Sequence, residues 1–394
     1  MSQIPFLYSR LEGFENRIIY YESSRGCPFS CSYCLSSVDK SVRFRDLELV
    51  KRELDYFLEN RVPQVKFVDR TFNCRKSHAL EIWRHIKEHD NGVTNFHFEI
   101  AADLLDEEEL ELIGIMRPGL IQLEIGVQST NPRTIREIHR VMDLERLKKV
   151  VARINAGHNA GLPWEDYSSF HRSFNEVYAM EPEQLQLGFL KVLKGSFMYE
   201  QAENYGLVYR DKPPYEVLST KWLSYDDVLK LKGIENMVEV YYNSGQFTRT
   251  LKYLEGWWKD AFVLYEQLAD YYEQRGLTGL NHSRLARYEI LHDFVEERTE
   301  GEFLMGAEDA LMCDLYLREN AKSRPSFALD QSSYKEKIRS LTPELRGLGT
   351  RVHAEVLRSG KIMLFDYRKR DPLTHNAKMS CLEPEKACLE ETTC

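Results

Sequence analysis

From Arg17 to about Lys194, short apolar runs alternate with segments of helical period, the rhythm of βα units that build a parallel sheet. RIIYYE (17–22) predicts the first strand, and Leu47, Val50, Leu54 and Leu58 then recur at the spacing of one helix face. QVKFVD (64–69) predicts the second strand, with Leu80, Trp83 and Ile86 marking the next helix. In NFHFEIAADLL, Phe96, Phe98 and Ile100 share one strand face while His97 and Glu99 share the other. The acidic DEEELELIGIM follows as a helix. LIQLEIGVQS then sets Ile121, Leu123, Ile125 and Val127 against Gln122, Glu124, Gly126 and Gln128. Asn131-Pro132 opens another helix, Asn as cap and Pro in the first turn.

Here the rhythm breaks. Leu144, Leu147, Val150, Val151 and Ile154 predict one helix and residues 165–180 another, with only GHNAGLP between them. So short a stretch cannot supply a strand and both its connections, so one expected strand is missing near residues 158–161. QLQLGFLKVL (184–193) resumes the strands. Beyond about Tyr199 the chain reads as long aromatic-rich helices joined by Gly/Asn/Ser turns, their aromatic stripes expected as packing core. Near the end, VHAEVL and KIMLFDY flank RSG as a β-hairpin. The predicted fold is α/β: a partial (βα)6-type barrel, then a mainly α-helical C-terminal region with a terminal β-hairpin. The expected divisions are 1–16 as a linker-like segment, 17–199 as the core, 200–320 as the helical region, 321–377 with the hairpin, and 378–394 as a polar tail.

Composition narrows the class of protein. Of 394 residues, 43% are apolar and 12% aromatic, enough for a sizeable core. No apolar run approaches the roughly 18–20 residues that span a bilayer, and the N-terminus lacks a charged-then-apolar signal, so a cytoplasmic location without membrane partners is expected. A net charge of −9 argues against general nucleic-acid binding. Eight cysteines fit a reducing compartment. Cys74 and Cys313 stand alone, and Cys381, Cys388 and Cys394 are loosely spaced in the acidic tail.

The remaining three change the picture. Cys27, Cys31 and Cys34 crowd onto one loop after the first strand. Thiolates suit iron–sulfur clusters and zinc, and three of them can hold three irons of a [4Fe–4S] cube while leaving the fourth open. Zinc would need a fourth ligand, which Cys74 after the second strand could supply. The strand alternation points Glu99, Glu124 and Gln128 inward, toward the mouth where βα barrels do their chemistry.

SRGCPFSCSYC resembles the cluster-binding loop of the radical S-adenosylmethionine (radical SAM) superfamily over roughly residues 17–195. FVDRTF, LEIGVQS and AGLP resemble further motifs of its cobalamin-associated branch. YEVLSTKWLSYDDVLKLKGIENMVEVYYNSG and LFDYRKRDPLTHNA resemble a C-terminal region of unknown function from a bacterial subfamily. The resemblance implies a [4Fe–4S] cluster on Cys27, Cys31 and Cys34, and S-adenosylmethionine chelated at the open iron and cleaved reductively. It implies Tyr33 beside the adenine, Asp69 at the methionine ammonium, and Glu124 and Gln128 at the nucleoside or methionine moiety, with Arg25 and Gly26 shaping the turn. It also implies an electron donor such as flavodoxin or ferredoxin. Cobalamin and a cobalamin-binding domain or subunit belong to the branch, and residues 1–16 look like the linker that follows such a domain. The implied function is radical chemistry, with cobalamin-dependent methyl transfer in the complete protein, on an unidentified substrate.

Two alternatives stay open. One is an RNA-modifying enzyme of the methylthiotransferase type, against which the acidic balance and helical C-terminal region weigh. The other is a non-catalytic iron–sulfur or zinc-binding interaction module, which a missing strand would favour.

Overall fold

Six strands of the first half pair in chain order. β1 (Ile19–Tyr21), β2 (Gln64–Phe67), β3 (Asn95–Ile100), β4 (Ile121–Gln128), β5 (Asn155–Ala160) and β6 (Leu185–Phe189) form one sheet in which every pairing is parallel. The computed structural model describes residues 1–15, 17–150, 155–341, 351–371 and 374–382, with backbone alone at 155–158 and 341. The connecting helices are α1 (Leu47–Glu59), α2 (Lys76–Glu88), α3 (Glu107–Gly114), α4 (Pro132–Glu137), α5 (Leu144–Val150) and α6 (Tyr167–Tyr178). Their starts are set by side-chain caps. Asp46 accepts from the amides of Glu48 and Leu49, Asp106 and Glu109 form a reciprocal capping box, and Asn131 accepts from Arg133 with Pro132 opening the helix. The apolar faces seen in the sequence are the buried ones: Val50, Leu54 and Leu58 on α1, Trp83 and Ile86 on α2, Phe96 and Phe98 on β3.

The expectation of a missing strand fails. β5 lies between β4 and β6, with Ala156 opposite Leu185 and Ala160 opposite Phe189 on one side, and Glu124 opposite Asn155 on the other. Two physical facts hid it. The strand begins at Asn155, earlier than the loop assignment allowed, and Gly161 turns the chain directly off its end with φ of +83°. Its sequence, NAGHNA, also carries no β-branched or aromatic residue to announce a strand. Ile154, assigned above to a helix, lies outside the described residues.

The chain divides into two compact units, Met1–Glu235 and Asn236–Cys394. Residues 200–235 therefore pack with the first unit, a different division from the one expected at Tyr199. The second unit holds helices Thr248–Trp258, Ala261–Gln274, Arg284–Glu296 and Gly301–Arg318. The stretch LKYLEGWWKDAFVLYEQLADYYEQRG forms two helices. Lys259 takes a left-handed turn, and Asp260 caps the second helix through the amide of Val263. The aromatic stripes are core, as expected: Tyr241, Tyr265, Tyr288 and Tyr316 are fully buried. The hairpin Val352–Val356 with Ile362–Arg370 forms, and Ala377–Leu382 adds a third antiparallel strand. The start of the expected polar tail thus joins a sheet, while Cys388 and Cys394 lie outside the described residues. Among the described residues no helix is long and apolar enough to cross a membrane.

Candidate functional site

At the C-terminal edge of the six-stranded sheet the loop after β1 bends over the strand ends. Its base is a two-residue antiparallel ladder, Ser24 and Arg25 against Phe44 and Arg43. Gly26 follows with φ of +100°, and a β-carbon there would lie 2.3 Å from the Ser41 carbonyl oxygen, so only glycine fits. Backbone bonds fix the loop: the Cys27 amide donates to Asp39 O, the Ser32 amide to Ile138 O, and the Met198 amide to Ser32 O. Cys27 and Cys31 are buried and Cys34 is half-buried.

These three thiols line one cavity of about 230 Å³ together with Tyr33, Glu99, Glu124 and Gln128. Strand register explains the convergence. Glu99 and Glu124 are direct partners on β3 and β4, and Gln128 ends β4 on the same face. The two carboxylates are driven apart. His97 Nε2, 3.0 Å away, and Lys66 Nζ, 3.2 Å away, hold the Glu124 carboxyl down to about 2, whereas burial and the Glu124 charge push Glu99 up. Asn159 donates to Gln128 Oε1, leaving the Gln128 amide NH2 above Gly126. Gln128 itself sits at φ of +70°, a left-handed end to the strand.

Arg140 is the site residue that the sequence did not reveal. It donates from Nη1 to Tyr33 Oη at 3.3 Å and lies 4.0 Å from Cys31 Sγ, while Nη2 donates to the Gly126 carbonyl. Its buried Nε has no hydrogen-bond partner. The guanidinium so joins the cysteine loop to β4. It reaches this place because α4 is only six residues long and returns the chain to the strand ends; no periodicity marks such a return. Burial pushes the Cys31 thiol up, against the opposing pull of Arg140. Arg70 and Thr71, also absent from the sequence expectations, line the cavity, with Thr71 Oγ1 3.7 Å from Cys27 Sγ.

Asp69, expected at a ligand ammonium, does not line the cavity and is fully buried. Its oxygens accept from the Ser23 amide at 2.9 Å, the Ser23 hydroxyl at 2.7 Å and the Ser24 hydroxyl at 2.5 Å. Burial pushes its carboxyl up to about 6 despite these donors. In this structure it ties the end of β1 to the end of β2. Cys74, the candidate fourth zinc ligand, is likewise outside the cavity lining. A larger hollow of about 530 Å³ lies between residues 9–15 and Tyr56–Pro63, at the N-terminal edge of the sheet, and brings no thiol or imidazole.

Residues 21–163 match the radical SAM superfamily, and residues 203–365 match a family described as Protein of unknown function (DUF4080). The first match takes in the cysteine loop and β2–β5. An uncharacterized methyltransferase of Pyrococcus horikoshii is 28% identical over 116 residues, 29% of this chain and 25% of that protein. The 2-(S-pantetheinyl)-carbapenam-3-carboxylate methyltransferase of Streptantibioticus cattleyicolor is 24% identical over 312 residues, 70% of this chain and 45% of that protein. The chain therefore spans less than half the length of these relatives. Among solved structures, the radical S-adenosylmethionine methyltransferase TsrM of Kitasatospora setae, with cobalamin and a [4Fe–4S] cluster bound, aligns at a TM-score of 0.44. It shares 16% identity over 53% of this chain and 44% of that one.

Proposed function

We propose that this chain, an enzyme carrying a radical SAM core, binds a [4Fe–4S] cluster through Cys27, Cys31 and Cys34 and S-adenosylmethionine in the cavity beside them. The observation that carries this reading is the convergence of the three thiols, Tyr33, Glu124 and Gln128 on one cavity at the C-terminal edge of the sheet. The donor set fits the cluster. Three thiolates line the cavity and Cys74 does not, so no fourth cysteine closes a structural zinc site there, whereas a [4Fe–4S] cube takes three thiolates with one iron open. The cavity also carries both signs of charge, Arg70 and Arg140 against Glu99 and Glu124, which suits a zwitterionic ligand with its own cationic sulfur.

When bound, the cluster supplies the electron that splits the sulfonium of S-adenosylmethionine into methionine and a 5′-deoxyadenosyl radical. The residues of the chain bind and orient. Tyr33, held by Arg140, offers an aromatic face next to the thiols for the adenine. Glu124 is ionised at neutral pH and accepts hydrogen bonds from the nucleoside or the ammonium group. The Gln128 amide, its oxygen already engaged by Asn159, turns its NH2 toward the ligand. Arg140, which lines the cavity, supplies positive charge for the ligand carboxylate. Asp69 acts in this reading by positioning the loop, not by touching the ligand.

Methyl transfer is the reaction class supported by the names of both curated relatives. A low-potential donor of the flavodoxin or ferredoxin class, and cobalamin held by a further domain or subunit, complete the proposal. Cys74, which the zinc alternative would need as fourth ligand, does not line the thiol cavity. The test is anaerobic reconstitution with iron and sulfide, followed by incubation with S-adenosylmethionine, dithionite and added cobalamin. A cluster-type visible spectrum and formation of 5′-deoxyadenosine or methylcobalamin are expected, and both are lost in Cys31→Ala. A Cys31→Ala protein that retained them would refute the assignment.

A further inference from the structure

At the opposite edge of the sheet, where α1 and α2 end, lies a second group of metal-ligating side chains. Asp55 is on α1, His85 is in the last turn of α2, and His89 caps its C-terminus. One ligand atom from each lies within 4.8 Å of the other two. His85 Nε2 is 2.6 Å from Asp55 Oδ1, and the two imidazoles stack with centroids 4.2 Å apart.

The tautomer of His89 is informative. Its Nδ1 is 2.9 Å from the His85 carbonyl oxygen, which can only accept, so Nδ1 carries the proton and Nε2 keeps a free lone pair. A backbone carbonyl holding one ring nitrogen so that the other can ligate is the usual support of a metal-bound histidine. One turn earlier the same two helices are joined by an ordinary ion pair, Lys51 to Glu81 at 3.0 Å. The Asp55–His85 pair could do the same work alone. A second imidazole stacked on the first, at an exposed position, is what that pairing does not explain.

We propose that Asp55, His85 and His89 form a three-ligand site for a divalent ion of borderline softness, with Zn²⁺ the best match and solvent as the fourth ligand. Two imidazoles and one carboxylate suit zinc, whereas calcium and magnesium take oxygen sets. Metal–ligand bonds of about 2.0–2.2 Å put tetrahedral ligand atoms roughly 3.3 Å apart. The His85–Asp55 contact of 2.6 Å must open slightly, by side-chain rotation that the half-exposed Asp55 and the exposed His89 leave room for. The ion would tie α1 to α2 at the sheet's N-terminal edge. None of the three residues lines the thiol cavity, so the site stands independently of the proposed cluster chemistry.

The test is a Zn²⁺ titration of the full chain against a chelating indicator, in a Cys27→Ala/Cys31→Ala/Cys34→Ala background so that the thiols do not compete, and in parallel on cluster-loaded protein. One Zn²⁺ per chain is expected at this site in both. His89→Ala, at an exposed position, should weaken it at least tenfold, and Asp55→Asn should weaken it too. Zn²⁺ should raise the melting midpoint of the parent but not of His89→Ala, while the two melt alike without metal. Equal Zn²⁺ stoichiometry and affinity in parent and His89→Ala, or no Zn²⁺ uptake by the parent, would overturn the proposal.

Discussion

Replacing Glu124 by Gln removes one charge from the cavity floor while keeping nearly the same shape. In the wild type, His97 and Lys66 hold this carboxyl down to about 2 from an ordinary 4.5. At ~1.36 kcal/mol per pH unit, that drop is worth about 3 kcal/mol of stability at neutral pH. The side chain is 28% exposed, and solvent in the cavity screens the figure to about 1–2 kcal/mol. The sign follows from the direction of the change. A carboxyl depressed by folding stabilises fully above its unfolded pKa, near 4.5, and the contribution is lost as pH falls through about 2. Glu99 runs the other way: burial and the Glu124 charge raise it, so removing that charge returns part of the loss. Glu124→Gln is therefore expected to be about 1 kcal/mol less stable at pH 7, the difference falling below half by about pH 3. Urea unfolding at both pH values, with the two compact units fitted as separate transitions, measures it. A difference that does not change with pH would refute the electrostatic account and point to packing.

Two further substitutions probe the backbone of the site. Gly26→Ala forces a β-carbon against the Ser41 carbonyl at a left-handed position, and should cost about 1–3 kcal/mol and lower iron content after reconstitution; iron and sulfide assays with a thermal melt check both. Gly126→Ala places a β-carbon 2.3 Å from the Gln128 amide, a movable side-chain end, so the melting midpoint should hardly move while the Kd for S-adenosylmethionine rises several-fold by calorimetry.

The alternation of β3 and β4 could be read directly, because one buried apolar face and one polar face leave a period of two in the text. That period, with the spacing of the cysteines, was enough to bring Cys27, Cys31, Cys34, Glu99, Glu124 and Gln128 to one end of the sheet, as the cavity lining has them. β5 was not legible, since a strand of Asn, Ala, Gly and His is held by its neighbours rather than by its own propensity. The places of Asp69 and Arg140 were not legible for a related reason. A carboxylate at a strand end reads the same whether it faces a ligand or two serine hydroxyls, and an arginine brought back by a short helix leaves no pattern at all.

The cysteine loop is fastened at its base by protein alone, through the ladder of Ser24–Arg25 with Arg43–Phe44 and the grip of Asp69 on Ser23 and Ser24. These contacts offset part of the entropy of closing the loop. Zinc fingers are the contrary case, in which ligand and fold arrive together. On the proposed reading the base of the loop forms through protein contacts, and the cluster would be installed, lost to oxygen and installed again without the sheet having to unfold.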